Sequence, residues 1–377
     1  MVHKETKSMT NEWYIVDNIG ELDSPALVIY SERVGHNIET LIKSIVNIAR
    51  LRPHVKTHKS LEVSKLMLKA GIRKFKCATI AEAEMLAMAG APDVLLAYQP
   101  VGPKANRLLI IVQQFPSTRF SCLIDNLNAA KALSDLFNSF NVRIPVFIDL
   151  NVGMNRTGVT PADALALYEQ AHTLTGINIV GLHAYDGHIR DVEFDTRQKR
   201  CDEAFKQVTD LQQRLRHKFN AELTLVVGGT PTFSVHCLRS NVECSPGTFI
   251  YWDVGYAQIL KEQQFTFAAL VVSRVISKPA ADIICIDLGH KSIASENPIT
   301  QRVYFLNGRN LTPIGHSEEH MVFKVGEGRS YNVGDVLYGI PFHICPTVAL
   351  HDRAAVVDNN RITAYWNNVS RSRKITI

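Results

Sequence analysis

The sequence has 377 residues, 46% hydrophobic and 20% charged, with a net charge of +5 from 41 basic and 36 acidic side chains. That length and texture call for roughly two domains with real cores and exclude a disordered chain or a disulfide-stapled miniprotein. The mild, scattered positive charge excludes a nucleic-acid or membrane-surface footprint and suits a small anionic ligand.

Residues 1–18 are polar and lack the apolar segment of a signal peptide, and the first eight read as an extension ahead of an alternative start at Met9. No apolar run approaches the roughly 18 residues of a membrane helix. Seven cysteines without paired spacing read as reduced thiols of a cytoplasmic protein. Behind Ser24-Pro25, residues 26–30 read as a strand, and Ser31 as the cap of a helix to Ile48 carrying Val34, Ile38, Leu41 and Ile45 at helical spacing.

From Arg50 the pattern alternates. Strands are expected at 50–57, 74–79, 94–99, 119–125, 145–151, 178–187, 223–229 and 242–245. Helices are expected at 60–70, 81–89, 104–114, 127–138, 161–174 and 194–219, with a short helical piece after Gly229. Short apolar strands between helices mean parallel β/α units, and eight of them close a TIM barrel. A doubly wound sheet is the alternative, disfavoured because no Gly-rich turn follows an early strand.

After Trp252 the texture turns β-rich, with strands at 265–276, 283–287, 302–306, 320–325, 336–341, 354–358 and 361–366, the last two paired across Asn359-Asn360. The expected fold class is therefore α/β, a TIM (β/α)8 barrel over 27–255 followed by an all-β domain over 256–377.

Barrel chemistry gathers at the C-terminal strand ends, and four clusters fall there. The first is Arg52-Pro-His-Val-Lys56-Thr-His-Lys59. A lysine among histidines at a strand end can form a Schiff base, although the octapeptide alone reads equally as a solvated basic loop. The second holds Arg156, whose fixed guanidinium can bind an anionic oxygen or make a surface ion pair. The third is His183-Ala-Tyr185-Asp186-Gly-His188. The fourth, Gly228-Gly229-Thr230, with Gly247-Thr248 after the eighth strand, offers backbone N–H groups to a phosphate where barrels bind one. Far downstream, His343 and Cys345 are read on one face of a strand, able to grip one ion; thiolate with imidazole favours zinc. The alternative is a buried cysteine beside a satisfied histidine.

The lysine, arginine and phosphate motifs together fit pyridoxal 5'-phosphate. With the tyrosine-bearing strand at 185 they resemble the alanine-racemase-like barrel of pyridoxal phosphate enzymes, and more closely the D-threonine aldolase and D-serine dehydratase family. The resemblance runs from Asp23-Ser-Pro-Ala26 to His351-Asp352. It implies Lys56 as the Schiff-base lysine, Arg156 near the ring's phenolic oxygen, and Tyr185 in the cofactor site. It also implies a divalent metal at His343 and Cys345, zinc first with manganese or magnesium as alternatives, and strand 26–30 in the β domain. The family carries His-x-Asp there in aldolases and His-x-Cys in dehydratases. It further implies a homodimer in which the β domain covers a neighbour's site.

The expected activity is metal-assisted retro-aldol cleavage of a β-hydroxy D-amino acid. Dehydratase-like β-elimination to a 2-oxo acid and ammonia, an amino-acid racemase, and a non-catalytic cofactor carrier are the alternatives. Typical aldolases carry histidine after the tyrosine, but here Asp186 follows Tyr185. That leaves Asp186, His188 or His183 as the retro-aldol base. Glu243 is the guess for the pyridine-nitrogen partner. The clusters at 287–291 and 318–320 read as a solvated face.

Overall fold

The computed structural model describes residues 12–328 and 330–377; the reading of Met9 as a start lies outside them. Strand β1 (Ala26–Tyr30) runs directly into helix α1 (Ser31–Lys43). Ser31 is the first residue of that helix, not its cap: Tyr30 holds the cap position, and the Ser31 hydroxyl donates to Val357 O at 3.1 Å. The helix stops short of Ile48 and a new turn begins at Asn47, whose side chain accepts from Ala49 N at 2.9 Å.

Helices α2 (Leu61–Lys69), α3 (Ile80–Met88), α4 (Pro103–Gln114), α5 (Leu127–Ser139), α6 (Pro161–Ala171), α7 (Phe194–Phe219) and the short α8 (Phe233–His236) alternate with strands. The strands are β2 (Lys74–Cys77), β3 (Asp93–Leu96), β4 (Arg119–Ile124), β5 (Ile144–Leu150), β6 (Ile177–Ala184), β7 (Thr224–Val227) and β8 (Val242–Cys244). Local chemistry starts the helices: Thr79 accepts from Glu82 N at 3.0 Å, and Asn126 from Asn128 N at 2.9 Å.

Strands β2 to β8 form one seven-stranded parallel sheet in chain order. Residues 51–54 close it. Leu51 bridges Cys244 and His54 bridges Lys76, both in parallel; Arg52 N donates to Cys244 O, and Lys76 N to Pro53 O, each at 2.9 Å. The expected strand at 50–57 is reduced to these bridges because Pro53 has no N–H to contribute, and Val55–Thr57 coil into a 3₁₀ turn. The fold is thus the expected barrel, with one irregular stave. Leu95, Leu123, Phe147 and Val226 fill its interior, while the alternate residues pack under the helices.

After α9 (Val254–Ile259) come β9 (Ala269–Ala280), β10 (Ile283–Ile286), β11 (Val303–Phe305), β12 (Leu311–His316), β13 (Met321–Val325) and β14 (Val336–Pro341). The chain ends with α10 (Ile344–Leu350), β15 (Arg353–Asp358) and β16 (Arg361–Asn367). The nine-stranded sheet runs β12-β13-β10-β9-β1-β15-β16, with β14 on β9 and β11 on β14. β1 sits in its middle, parallel to β15 and antiparallel to β9. β12 escaped the sequence reading because Pro313 and Gly315 break its alternation, and the β12–β13 register shifts there. Lys291 makes exposed ion pairs with Glu318 at 2.8 Å and Glu319 at 3.3 Å, a solvated face.

Candidate active site

The C-terminal ends of the barrel strands open into a cavity of about 520 Å³. Lys56 reaches it from the 3₁₀ turn, where its backbone N–H donates to His54 Nδ1 at 3.3 Å. A second lysine, Lys76 on β2, also lines it and is 2% exposed. Lys76 Nζ lies 3.4 Å from His183 Nε2, and His183 Nδ1 lies 2.7 Å from Asp149 Oδ1. Burial, with help from Lys56, pulls the Lys76 ammonium down to about 7. Burial likewise lowers His183 and keeps it neutral against the pull of Asp149. Burial would raise Asp149, but hydrogen bonds from His183 and Thr157 outweigh it and hold the carboxylate below its usual range. The result is a chain that runs from buried Lys76, His183 and Asp149 out to exposed Thr157, beside Arg156.

Tyr185, just beyond β6, is the hub. Lys56 Nζ lies 5.9 Å, Lys76 Nζ 5.7 Å and Arg156 Cζ 5.1 Å from its ring centroid. The neighbouring glycines make room for that ring: a Cβ on Gly229 would meet Tyr185 Cε2 at 2.7 Å, and one on Gly187 would run into its Cζ. Gly228 carries the left-handed φ of 68° that lets the chain turn there.

Gly229, Thr230, Gly247 and Thr248 line the same cavity; Gly228 stands just behind. The amides of Gly247 and Thr248 converge on one oxygen, Thr230 Oγ1, at 3.0 and 3.1 Å. Converging N–H groups of this kind suit a phosphate oxygen. Helix α8, at four residues, adds no dipole of consequence, so the cradle rests on these amides. Ser245 Oγ on the cavity wall is buried without a hydrogen-bond partner among the described residues. A lysine amine, an arginine without a hydrogen-bond partner among the described residues, an amide cradle and an orphaned hydroxyl together fit pyridoxal phosphate.

His343 and Cys345 line the cavity too, but not on a strand. β14 ends at Pro341; His343 is the cap residue of α10 and Cys345 lies inside that helix. The two side chains act on each other electrostatically, and Cys345 Sγ also lies 3.1 Å from Thr57 Oγ1. Burial raises the Cys345 thiol, yet His343, Lys56 and Thr57 together bring it below its ordinary value. Burial lowers His343, but Cys345 and Glu296 raise it to about 9. Glu296 bonds His343 Nδ1 and so orients the imidazole, while the imidazole of His343 and the thiol of Cys345 are donors that fit a divalent ion of the zinc class.

Two expectations are corrected. Asp186 and His188 do not line this cavity. Asp186 is buried behind it, accepting from Thr232 Oγ1 and bonded to His236 Nε2, each at 2.7 Å. His188 packs under the loop at Gly153, where an added Cβ would meet its Nε2 at 2.7 Å. Cys201 joins Asp186 and His236 in a compact buried trio, but burial pushes its thiol up, away from the thiolate a metal needs. Glu243 faces Arg52 Nε at 2.7 Å and also pairs with Lys74, at the opposite end of the barrel.

Sequence reasoning missed Lys76, Asp149, Ser245 and Glu296. Lys76 had a readable signal: a lysine in the middle of a parallel strand buried on both faces.

Comparison with known proteins bears on the fold and on the class of chemistry. The family model described as "Alanine racemase, N-terminal domain" matches residues 29–254, and the one described as "Putative serine dehydratase domain" matches 268–357. The chain is 29% identical over 365 residues to the D-threonine aldolase of Arthrobacter sp, covering 94% of each. It is 25% identical to the 3-hydroxy-D-aspartate aldolase of Paracoccus denitrificans (strain Pd 1222), covering 94% of this chain and 93% of that one. Among solved structures, D-threonine aldolase from Filomicrobium marinum superposes with a TM-score of 0.84 at 25% identity, over 93% of this chain and 95% of that one. Both activities named are lyases of β-hydroxy D-amino acids. With more than half of its length in the first match, the chain belongs to the alanine racemase N-terminal domain family.

Proposed function

We propose that this protein is a lyase, dependent on pyridoxal phosphate and a divalent metal, that cleaves β-hydroxy D-amino acids between Cα and Cβ. The observation that carries this reading is the meeting of Lys56, Arg156, the Gly247–Thr248 amides and the His343–Cys345 pair in one cavity. When bound, the cofactor would supply an electron sink for the bond broken at the substrate α-carbon, and the metal a Lewis acid at the β-hydroxyl. Lys56 supplies the tethering amine and, once freed by the substrate amine, a base beside the α-carbon. Arg156 would face the cofactor's phenolic oxygen, and the Gly247 and Thr248 amides, with Thr230, would receive its phosphate. His343 and Cys345 would hold the ion, zinc by their chemistry, with Glu296 orienting His343 through Nδ1.

A second reading, β-elimination to a 2-oxo acid and ammonia, is favoured by the serine-dehydratase-domain match over 268–357, which contains both His343 and Cys345. There Lys56 removes the α-proton and the hydroxyl leaves. A racemase would leave His343 and Cys345 without a task. The same reading makes the protein a cytoplasmic homodimer, for which light scattering in solution is the test.

Product identification decides the reaction. Purified protein is incubated with D-threonine, D-serine, D-3-hydroxyaspartate and D-alanine. Glycine with an aldehyde or glyoxylate is the expected result; a 2-oxo acid with ammonia selects elimination, and the L-enantiomer selects racemisation. No turnover of any of the four sinks the proposal.

A further inference from the structure

We propose that Lys76 donates a hydrogen bond to the ring nitrogen of the bound cofactor and keeps that nitrogen unprotonated. The inference rests on the cofactor reading above.

Lys76 is 2% exposed, and among the described residues no carboxylate touches it; its polar partner is His183 Nε2 at 3.4 Å. An ammonium has three N–H donors, and burying them unsatisfied is costly. His183 takes one. Asp149, 2.7 Å from Nδ1, fixes the proton there and makes Nε2 the acceptor. The remaining donors belong to a side chain that lines the cavity, so they are free to meet a ligand atom.

The geometry of the cofactor says which atom. In pyridoxal phosphate the ring nitrogen lies para to the aldehyde carbon. That carbon must meet Lys56 and an incoming substrate at the mouth, so the nitrogen edge points into the barrel. Lys56 and Lys76 lie at matching distances, 5.9 and 5.7 Å, from the Tyr185 ring against which the cofactor would sit.

Electrostatics select the protonation state. Among the described residues no aspartate or glutamate lines the cavity, whereas Lys56, Lys76, Arg156 and Arg190 do. A pyridinium would find no anionic partner and would face like charges. Asp149 and Asp186, the carboxylates nearest in the fold, are already held by His183 and by His236 with Thr232. A neutral ring nitrogen is an acceptor, and Lys76 has an N–H for it in either charge state.

The test reads the nitrogen itself. Apo-protein is reconstituted with pyridoxal phosphate labelled with ¹⁵N in the ring, and the ring resonance is recorded near neutral pH. Wild type is expected in the unprotonated, hydrogen-bonded range. Lys76→Met is expected to shift the resonance toward unbonded pyridine, and Lys76→Arg to restore it. A protonated ring in wild type, or a resonance unmoved in Lys76→Met, overturns the proposal. Movement in Ser245→Ala but not in Lys76→Met assigns the contact to Ser245 and also overturns it. Should Lys76→Met fail to fold, Lys76→Gln, which keeps an N–H but no charge, must shift the resonance part of the way; no shift counts against the proposal. A wild type that takes up no cofactor, seen as no visible absorbance, fails differently, by removing the reading beneath.

Discussion

Cys345 Sγ lies 3.1 Å from Thr57 Oγ1, the residue next to Lys56. A thiol carried by the C-terminal domain therefore touches the turn that presents the barrel's lysine. The two halves of the proposed chemistry, tether and metal, share one contact across the domain boundary. Removing Cys345 should accordingly do more than weaken an ion. Cys345→Ala is expected to lower metal affinity by at least about 100-fold and to reduce turnover in step, with excess zinc giving partial recovery. Chelation of wild type followed by metal titration measures both. Activity indifferent to chelator would move the reading toward a racemase.

Lys56 is the residue on which the cofactor reading stands. Lys56→Ala is expected to lose the visible absorbance of the cofactor-loaded protein and its turnover together, while the far-ultraviolet circular dichroism stays that of wild type, because the Lys56 amine makes no hydrogen bond to another described residue. An undiminished band in that variant would transfer the tether to Lys76.

How much of this was legible beforehand follows from where the information lies. The barrel was readable because short apolar strands and amphipathic helices write their periodicity locally. Lys56, Arg156 and Gly229–Thr230 were readable because they sit at strand ends. Glu296 was not, since only the three-dimensional path of the loop before β11 brings it to His343, 47 positions away. The strand expected for His343 and Cys345 gave way to a helix because α10 draws Ile344 N onto Asp253 Oδ2 at 3.1 Å, a partner 91 positions distant. Asp186 looked catalytic because it follows Tyr185, but the barrel turns its carboxylate toward Thr232 and His236.

Gly229 tests the hub at Tyr185. A Cβ there would meet Tyr185 Cε2 at 2.7 Å, so Gly229→Ala must push the ring aside. Overpacking of this kind costs about 1–3 kcal/mol. The expected outcome is a modestly lower melting temperature with a larger loss of cofactor affinity, measured by absorbance titration. Equal affinity in the variant would mean that Tyr185 does not support the cofactor.

Asp253 gives a pH dependence. Burial raises its carboxyl to about 6, partly opposed by the N–H groups of Tyr256 and Ile344. A raised folded-state value means the folded protein holds more protons than the unfolded chain between pH 4 and 6, so this group's contribution falls as pH rises through that window. The span corresponds to on the order of 2–3 kcal/mol at most. Asp253→Asn, whose amide oxygen can still accept from either N–H, is expected to flatten the fall. Melting temperatures of both proteins across the window should converge at the acid end and diverge in favour of the variant at the neutral end; parallel curves would contradict the assignment.

Glu243 separates structure from chemistry. It pairs with Arg52 at 2.7 Å and with Lys74, and Arg52 also reaches Asp93 at 2.5 Å, so two carboxylates and two cations form one cluster at the N-terminal edge of the barrel. Breaking a buried pair by removing one partner costs about 3–5 kcal/mol, because the remaining charge loses its compensation. Glu243→Gln leaves the Arg52 guanidinium, which is 2% exposed, short of one negative charge. It should therefore lower the melting temperature clearly. The cofactor spectrum and its pH dependence should stay those of wild type, since Glu243 does not line the cavity. A changed spectrum with unchanged stability would instead make Glu243 the partner of the ring nitrogen. Lys76→Met should give the mirror result, a changed spectrum at smaller cost in stability, because it removes a buried amine that has no ion-pair partner among the described residues to strand.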